Sequence, residues 1–333
     1  MQSAVQHLAR RTLATAASHG VQRVGVIGAG QMGIGIACVA ARNAKVPVMV
    51  MDMNQAQLDK GLKYIDAVLQ KDVSKGKMTA EDRDHARSLV TATAKLDDFA
   101  QTDFLVEVRG VDADVTRATV PASNSTDQRP WCRLSGTRDL AKITPADAIL
   151  ASNTSSISIT KIAAATGSHA RAQNVIGMHF MNPVPIMQLV EIIPGLATSD
   201  ATLQKTLALA HAMGKTTTTS RDVPGFIANR LLMPYINEAV FALHEGIGSK
   251  QDIDTTMKLG TNMPMGPLTL ADFIGLDTCL SILKILHTQL GEDKYRPCPL
   301  LQSYVDAGWV GKKAGRGFYE YNTDNLLKAA EKK

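Results

Sequence analysis

The sequence predicts an α/β fold, a doubly wound parallel sheet followed by an all-α C-terminal region. Three observations carry that prediction. Short apolar runs alternate with helical stretches through the first two-thirds of the chain, a glycine-rich turn joins the first run to the first helix, and beyond about Arg221 the pattern is mostly helical.

The run Val24-Gly25-Val26-Ile27 reads as a strand that stops at Gly28-Ala29-Gly30-Gln31-Met32-Gly33. A helix rich in Ala and Ile follows to about Arg42, and Pro47–Met51 reads as a second buried strand ending on Asp52. A glycine pattern alone says little. Set between a strand and a helix, with an acid 24 residues after Gly28, it becomes a specific dinucleotide-binding signal. Gly28 permits the tight turn, Gly30 lets backbone approach a pyrophosphate, and Gly33 lets the helix pack closely on its strand. The helix start offers unpaired N–H groups and a positive dipole end to phosphates. Asp52 suits the adenine ribose hydroxyls and would repel a 2′-phosphate; Met53 and Asn54 follow it, with no Arg. NAD is therefore the expected cofactor, rather than NADP. FAD is another dinucleotide such a motif holds, and a glycine turn with no ligand is the bland alternative.

From Asn54 to Val90 the pattern is helical, with Leu58, Leu62, Ile65 and Leu69 on one face. Phe104–Glu107, Ala148–Ala151, Asn174–Phe180 and Gln188–Ile193 read as further strands. These divide the chain into a cofactor domain over residues 21–220 and a helical domain over 221–322, with 323–333 as a tail.

Composition narrows the function classes. At 333 residues and 45% hydrophobic content the chain can bury two cores, and no apolar run approaches the length a membrane-spanning helix needs. The net charge of +5 resides largely in residues 1–20 and 108–138, which leaves no basic stripe for nucleic acid. Cys38, Cys132, Cys279 and Cys298 are scattered, giving neither a disulfide framework nor a metal site. The first twenty residues carry Arg10 and Arg11, many Ala, Ser and Thr, and no acid. They read as a mitochondrial transit peptide, hence a matrix protein, against the alternative of a plain N-terminal tail.

Three polar clusters fall at or within the apolar runs, where open α/β sheets place ligand sites. They are Ser152-Asn153-Thr154-Ser155-Ser156, His179-Phe180-Met181-Asn182-Pro183, and Glu191 within Leu189-Val190-Glu191-Ile192-Ile193. A carboxylate among aliphatics needs a partner, and His179 is a candidate. An imidazole oriented by a carboxylate can take a hydroxyl proton as hydride leaves the carbon. A histidine after a strand also serves plain structure, and Ser/Thr clusters there also serve as helix caps. Asn229 falls on one helical face with Phe226 and Leu232, where a substrate carbonyl is one possible partner for its amide.

The ordered set GAGQMG, SNTSS, HFMNPVPIMQLVEII, DVPGFIANRLL, MPMGPLTLADFIGLD and GKKAGRGFYEY resembles the L-3-hydroxyacyl-CoA dehydrogenase family, and within it the short-chain 3-hydroxybutyryl-CoA enzymes. The resemblance covers about Arg23–Glu107 and Asp139–Asn322, 269 of the 333 residues. It implies a Rossmann domain, a helical domain that usually forms a homodimer contact, and NAD-dependent oxidation of (S)-3-hydroxyacyl-CoA to 3-oxoacyl-CoA in fatty-acid β-oxidation. It further implies His179 as base paired with Glu191, Ser155 touching substrate and cofactor, Asn229 near the acyl carbonyl, and Asn182 at the substrate. Glu107 and Lys313 would contact NAD, and Lys75 the CoA part. An isolated lysine is otherwise only a solvated charge.

Residues 108–138 depart from that pattern: Pro121, Pro130 and many Ser and Thr replace the expected short loop and amphipathic helix. A structureless insert of this length is itself unusual within a compact domain. Relatives hold the nicotinamide end of NAD with a glutamate and a lysine where this chain has Val111 and Thr116. A frame or splicing artefact, a genuine divergent loop, and a catalytically inert dinucleotide-binding protein are the three readings. A related dehydrogenase of free hydroxy acids or sugar acids is the other enzyme class to separate.

Overall fold

The computed structural model describes residues 19–108, 133–155 and 157–321. All but the last two residues of the expected transit peptide, the positions Val111 and Thr116, and the C-terminal tail lie outside the described residues. The chain separates into two compact units, ending and beginning at Asp222 and Val223.

The first unit is built on one eight-stranded sheet: β1 (Val24–Ile27), β2 (Val48–Met51), β3 (Val90–Thr93), β4 (Phe104–Glu107), β5 (Ile149–Ser152), β6 (Val175–Phe180), β7 (Leu189–Pro194) and β8 (Thr216–Thr219). Their order is β3-β2-β1-β4-β5-β6-β7-β8, so the strand order reverses between β1 and β4. The helices are α1 (Gln31–Val39), α2 (Gln55–Ser74), α3 (Ala80–Ser88), α4 (Arg133–Ile143), α5 (Ile159–Ala164), α6 (His169–Ala172) and α7 (Asp200–Ala212). β1, β4, β5 and β6 are buried along their whole length, as strands covered on both faces must be. On α2 the stripe Leu58, Ile65 and Leu69 is fully buried, each side chain worth about 1.5–3 kcal/mol of transfer free energy.

Four expectations need correction. The sheet is not wholly parallel: β6 and β7 pair antiparallel, with His179 opposite Glu191. Only residues 181–188 connect them, too few for the crossover that a parallel pair requires. The stretch from Asn54 to Val90 is two helices, because Thr79 caps α3 by accepting from the Asp82 N–H, and its end is strand β3. The atypical segment is shorter than residues 108–138. Val108 N–H still donates to Ile27 O, and the chain is already helical from Arg133. The fourth concerns Asn229: Phe226 has φ +50° and precedes the helix that carries this residue, so the two do not share a helical face.

The second unit comprises α8 (Ala228–His244), α9 (Lys250–Thr255), α10 (Pro267–Ile274), α11 (Leu276–Leu290) and α12 (Pro299–Asp306), followed by the turn-rich segment 311–321. Met233, Ile236, Leu268, Leu276, Leu283, Leu286 and Phe318 form its core. No helix among the described residues is long and apolar enough to cross a membrane.

Candidate active site

The C-terminal ends of β1, β4, β5 and β6 lie along one edge of the sheet, and the reversal of strand order between β1 and β4 opens the crevice there. At β1, Gly28 takes φ +103°, and a Cβ on it would lie 2.1 Å from the carbonyl oxygen of Val108. A Cβ at Gly33 would lie 1.8 Å from the carbonyl oxygen of Gly28, so the helix rests directly on the turn. A Cβ at Gly30 meets nothing within 4 Å. Two glycines are thus demanded by the protein's own backbone, and the third leaves space open above the start of α1. Gly30 is also the N-cap and contributes no side-chain hydrogen bond, as befits a helix start that takes an anion.

Gln31 is exposed, Met32 half-buried and Ala29 buried. The Ala29 N–H donates to Asp52 Oδ2 at 2.9 Å, and the Asn54 N–H donates to Oδ1 at 3.0 Å. Asp52 therefore braces the turn while standing partly exposed at the end of β2. These features fit a dinucleotide: Gly28–Gly33 would hold the pyrophosphate and Asp52 the adenine ribose.

Further along the same edge, Glu107 is buried at the end of β4, in register with Ser152. Its backbone carbonyl accepts from Asn153 N–H at 2.9 Å, and Asn153 Oδ1 accepts from Phe180 N–H at 2.8 Å. Glu107, the SNTSS loop and the end of β6 are thereby linked by successive hydrogen bonds. Ser155 lies half-buried in that loop and is not the cap of α5; Ser158 is, accepting from Lys161 N–H.

His179 Nδ1 lies 2.8 Å from Glu191 Oε2, with the residues 5% and 1% exposed. The antiparallel register makes the pair, since directly opposed residues on neighbouring strands share a face. An ionised carboxylate only accepts, so Nδ1 carries the proton and Nε2 is left as the basic nitrogen.

The remaining sequence candidates are placed as follows. Asn182 is exposed, and its bond to Pro183 is cis. Lys75 is exposed at the C-cap of α2. In the second unit, Asn229 is buried in the first turn of α8, and Lys313 forms an ion pair with Asp277 at 2.7 Å. No group of three metal-ligating side chains occurs among the described residues.

Sequence reasoning passed over two residues here. Asn153 was seen only as part of a cluster, although its side chain ties β5 to β6. Asp222 accepts from Ser158 Oγ and from the Ile159 and Thr160 N–H groups, each at 2.8 Å, and so holds the far side of the SNTSS loop. Its place just before Pro-Gly in DVPGF was the available signal.

Comparison with known proteins agrees with this geometry. Residues 23–120 and 135–223 match the NAD binding domain model of 3-hydroxyacyl-CoA dehydrogenases, and residues 225–321 match their C-terminal domain model. A 3-hydroxybutyryl-CoA dehydrogenase of Bradyrhizobium diazoefficiens is 48% identical over 301 residues, covering 90% of this chain and 96% of that one. The human mitochondrial hydroxyacyl-coenzyme A dehydrogenase is 40% identical over 309 residues, covering 90% and 91%. The crystal structure of an (S)-3-hydroxybutyryl-CoA dehydrogenase from Ralstonia eutropha superposes with TM-score 0.80 at 41% identity, covering 91% and 99%. With both domain models matched in order over nearly all the described residues, the chain belongs to the 3-hydroxyacyl-CoA dehydrogenase family.

Proposed function

We propose that this protein oxidises (S)-3-hydroxyacyl-CoA, with short-chain substrates such as 3-hydroxybutyryl-CoA, to the 3-oxoacyl-CoA, and catalyses the reverse reduction. The observation that carries this reading is the buried 2.8 Å contact between His179 Nδ1 and Glu191, on the strand edge that also carries the glycine turn. Glu191 fixes the tautomer, Nε2 takes the proton of the substrate hydroxyl, and the carboxylate stabilises the imidazolium that results. Bound NAD supplies the hydride acceptor. Gly28–Gly33, Asp52 and Glu107 hold the cofactor, and Lys313 is the further residue proposed to touch it. Ser155 donates to the reacting oxygen, Asn229 to the acyl carbonyl, and Lys75 and Asn182 bind the CoA side of the substrate.

The test is acetoacetyl-CoA added with NADH, followed at the nicotinamide absorbance band. Loss of NADH is the expected result. Absence of turnover in a folded protein that still binds NADH would favour the inert dinucleotide-binding reading. The observation favouring that second reading is the gap at residues 121–134 in the match to the NAD binding domain. Peptide mapping of the native protein across residues 100–145 decides whether that segment exists in the mature chain. A preference for free hydroxy acids, with no competition by CoA, would redirect the substrate class.

Two further attributes belong to the proposal. Exposed Leu231, Ile247, Leu259 and Phe273 on the second unit support a homodimer, to be measured by light scattering. The acid-free, Arg-containing first twenty residues, with a relative named mitochondrial, support a matrix location. Import and cleavage by isolated mitochondria test it; the uncleaved chain remaining outside would remove it.

A further inference from the structure

We propose that Lys215 is a positioning residue for the reaction: its buried ammonium pins the 183–187 loop that follows His179 and seats that loop on the cofactor-binding helix. Lys215 stands one residue before β8 and is only 7% exposed. Its Nζ donates to the carbonyl oxygen of Val184 at 2.5 Å and to that of Met187 at 2.8 Å. Within the loop, the Ile186 and Met187 N–H groups both donate to Pro183 O, at 3.0 and 2.9 Å. The lysine thus closes the loop from outside, while the loop's own hydrogen bonds define its shape.

The loop has two neighbours that matter. On its N-terminal side it continues directly from His179 and Phe180, through Met181 and Asn182. On its other face Val184, 1% exposed, packs on α1, where a Cβ at Gly35 would lie 2.8 Å from Val184 Cβ. The carbonyl of that same Val184 is one of the two that Lys215 holds. A shift of the loop would therefore move the end of the histidine strand relative to the helix whose N-terminus forms the dinucleotide turn.

An ammonium suits this place because it offers three donors and no acceptor, and it meets two carbonyls at once, that of Val184 in a buried contact and that of Met187 in a part-buried one. The charge is nonetheless held at some cost, since burial, aided by Arg42, pushes the Lys215 ammonium down to about 8. Arg42, in the turn after α1, is paired with Asp72 of α2, and the Cys38 thiol of α1 also faces the lysine. His211 at the end of α7 bonds Thr217 instead. A well-packed apolar side chain would avoid that cost but leave the buried Val184 carbonyl without the lysine's donor and release the Met187 carbonyl.

The inference rests on the dehydrogenase reading above, and its test separates the two. In the full chain, Lys215→Met is expected to bind NADH within about threefold of the unaltered protein, because the glycine turn is untouched. Hydrogen exchange at the Ile186 and Met187 amides should rise at least tenfold, and kcat for acetoacetyl-CoA reduction should fall at least tenfold, more than KM rises. Lys215→Arg, which restores a cation and its donors, should recover much of both. Where the methionine variant does not fold, Lys215→Gln keeps two donors on a shorter stem and should show the same signs at smaller size. Unchanged loop exchange, or full turnover despite accelerated exchange, would overturn the assignment. Absence of turnover in the unaltered protein would instead strike the dehydrogenase reading and leave the exchange result standing.

Discussion

Each unit buries a carboxylate to the same degree, yet the two are surrounded by different chemistry. Glu191 in the first unit and Asp272 in the second are both 1% exposed. Glu191 meets an imidazole nitrogen at 2.8 Å. Asp272 accepts from the Phe318 and Tyr319 N–H groups, each at 2.9 Å, and from Tyr321 OH at 3.0 Å. Backbone amides do not give up their protons, and burial holds the Tyr321 phenol well above its ordinary value, with the Asp272 charge adding to the shift. An imidazole has two ring nitrogens that can each hold a proton or accept one, so it can pass a proton on. Burial depth therefore does not separate the carboxylate proposed to work in the reaction from a structural one. What separates them is whether the partner can cycle a proton. Asp272 is a clasp: a Cβ at Gly317 would lie 1.9 Å from its Oδ1, so the 311–321 segment is wrapped directly onto it.

The largest expected effect breaks the comparison at its working end. His179→Gln should leave NADH affinity and melting temperature nearly unchanged while lowering kcat by about 100-fold or more, the usual contribution of a positioned general base. Glu191→Gln should follow with a smaller loss, since the histidine remains but its tautomer is no longer enforced. Steady-state kinetics beside a thermal melt checks both. A Glu191→Gln protein that unfolds but keeps its turnover per folded molecule would place Glu191 with Asp272 as a clasp.

Much of the first unit was legible because its signals are local. Strand, glycine turn, helix, strand and acid follow within Val24–Asp52, and each residue type answers a steric or electrostatic need. Glu191 announced itself as a charge within an aliphatic run. The register that sets it opposite His179 was not visible in any pattern, although the short 181–188 connection contained the reason. β8 was missed because its sequence is four threonines, largely exposed at the sheet edge, with no apolar residue to mark it. β3, at the other edge, buries only Val90 fully. Asp272 lies within the stretch MPMGPLTLADFIGLD and Lys215 in none of the quoted stretches, yet neither could be singled out, because each is defined by what the folded chain brings to it from far along the sequence.

The middle-sized prediction tests the clasp. Asp272→Asn keeps one accepting oxygen but turns an N–H₂ group toward donors that formerly met a carboxylate oxygen. Leaving a buried donor unmet should cost about 2 kcal/mol. Trp309 reports on the region, since the Arg316 guanidinium lies 3.7 Å above its ring and Tyr304 packs edge-on against it. Urea unfolding followed by Trp309 fluorescence, in a Trp131→Phe background, should show an earlier midpoint for Asp272→Asn. Turnover of the folded protein should stay within about twofold. A fall in kcat as deep as that of Glu191→Gln would erase the distinction between the two carboxylates.

The smallest effect sharpens the same distinction through pH. Tyr319 donates to Asp254 Oδ2 at 3.0 Å and to Lys250 O at 2.9 Å, and burial followed by the Asp254 contact raises its phenol above the ordinary 10.0. Tyr321 is raised in the same direction by burial and by Asp272. A group whose folded pKa exceeds its unfolded value binds its proton more tightly in the native state. Its stabilisation is complete below pH 10 and is lost as the pH climbs from there toward the folded value, because the unfolded chain releases the proton first. Urea midpoints read by Trp309 should therefore decline from pH 10 upward. The decline should be shallower in Tyr319→Phe and Tyr321→Phe, and shallowest when both are changed. The buried Cys279 thiol, pushed up to about 12, titrates in the same direction and leaves a residual slope that the tyrosine variants do not remove. Equal slopes in all four proteins would mean that these phenols exchange protons as freely when folded as when unfolded. The clasp would then lose the property that sets it apart from the histidine pair.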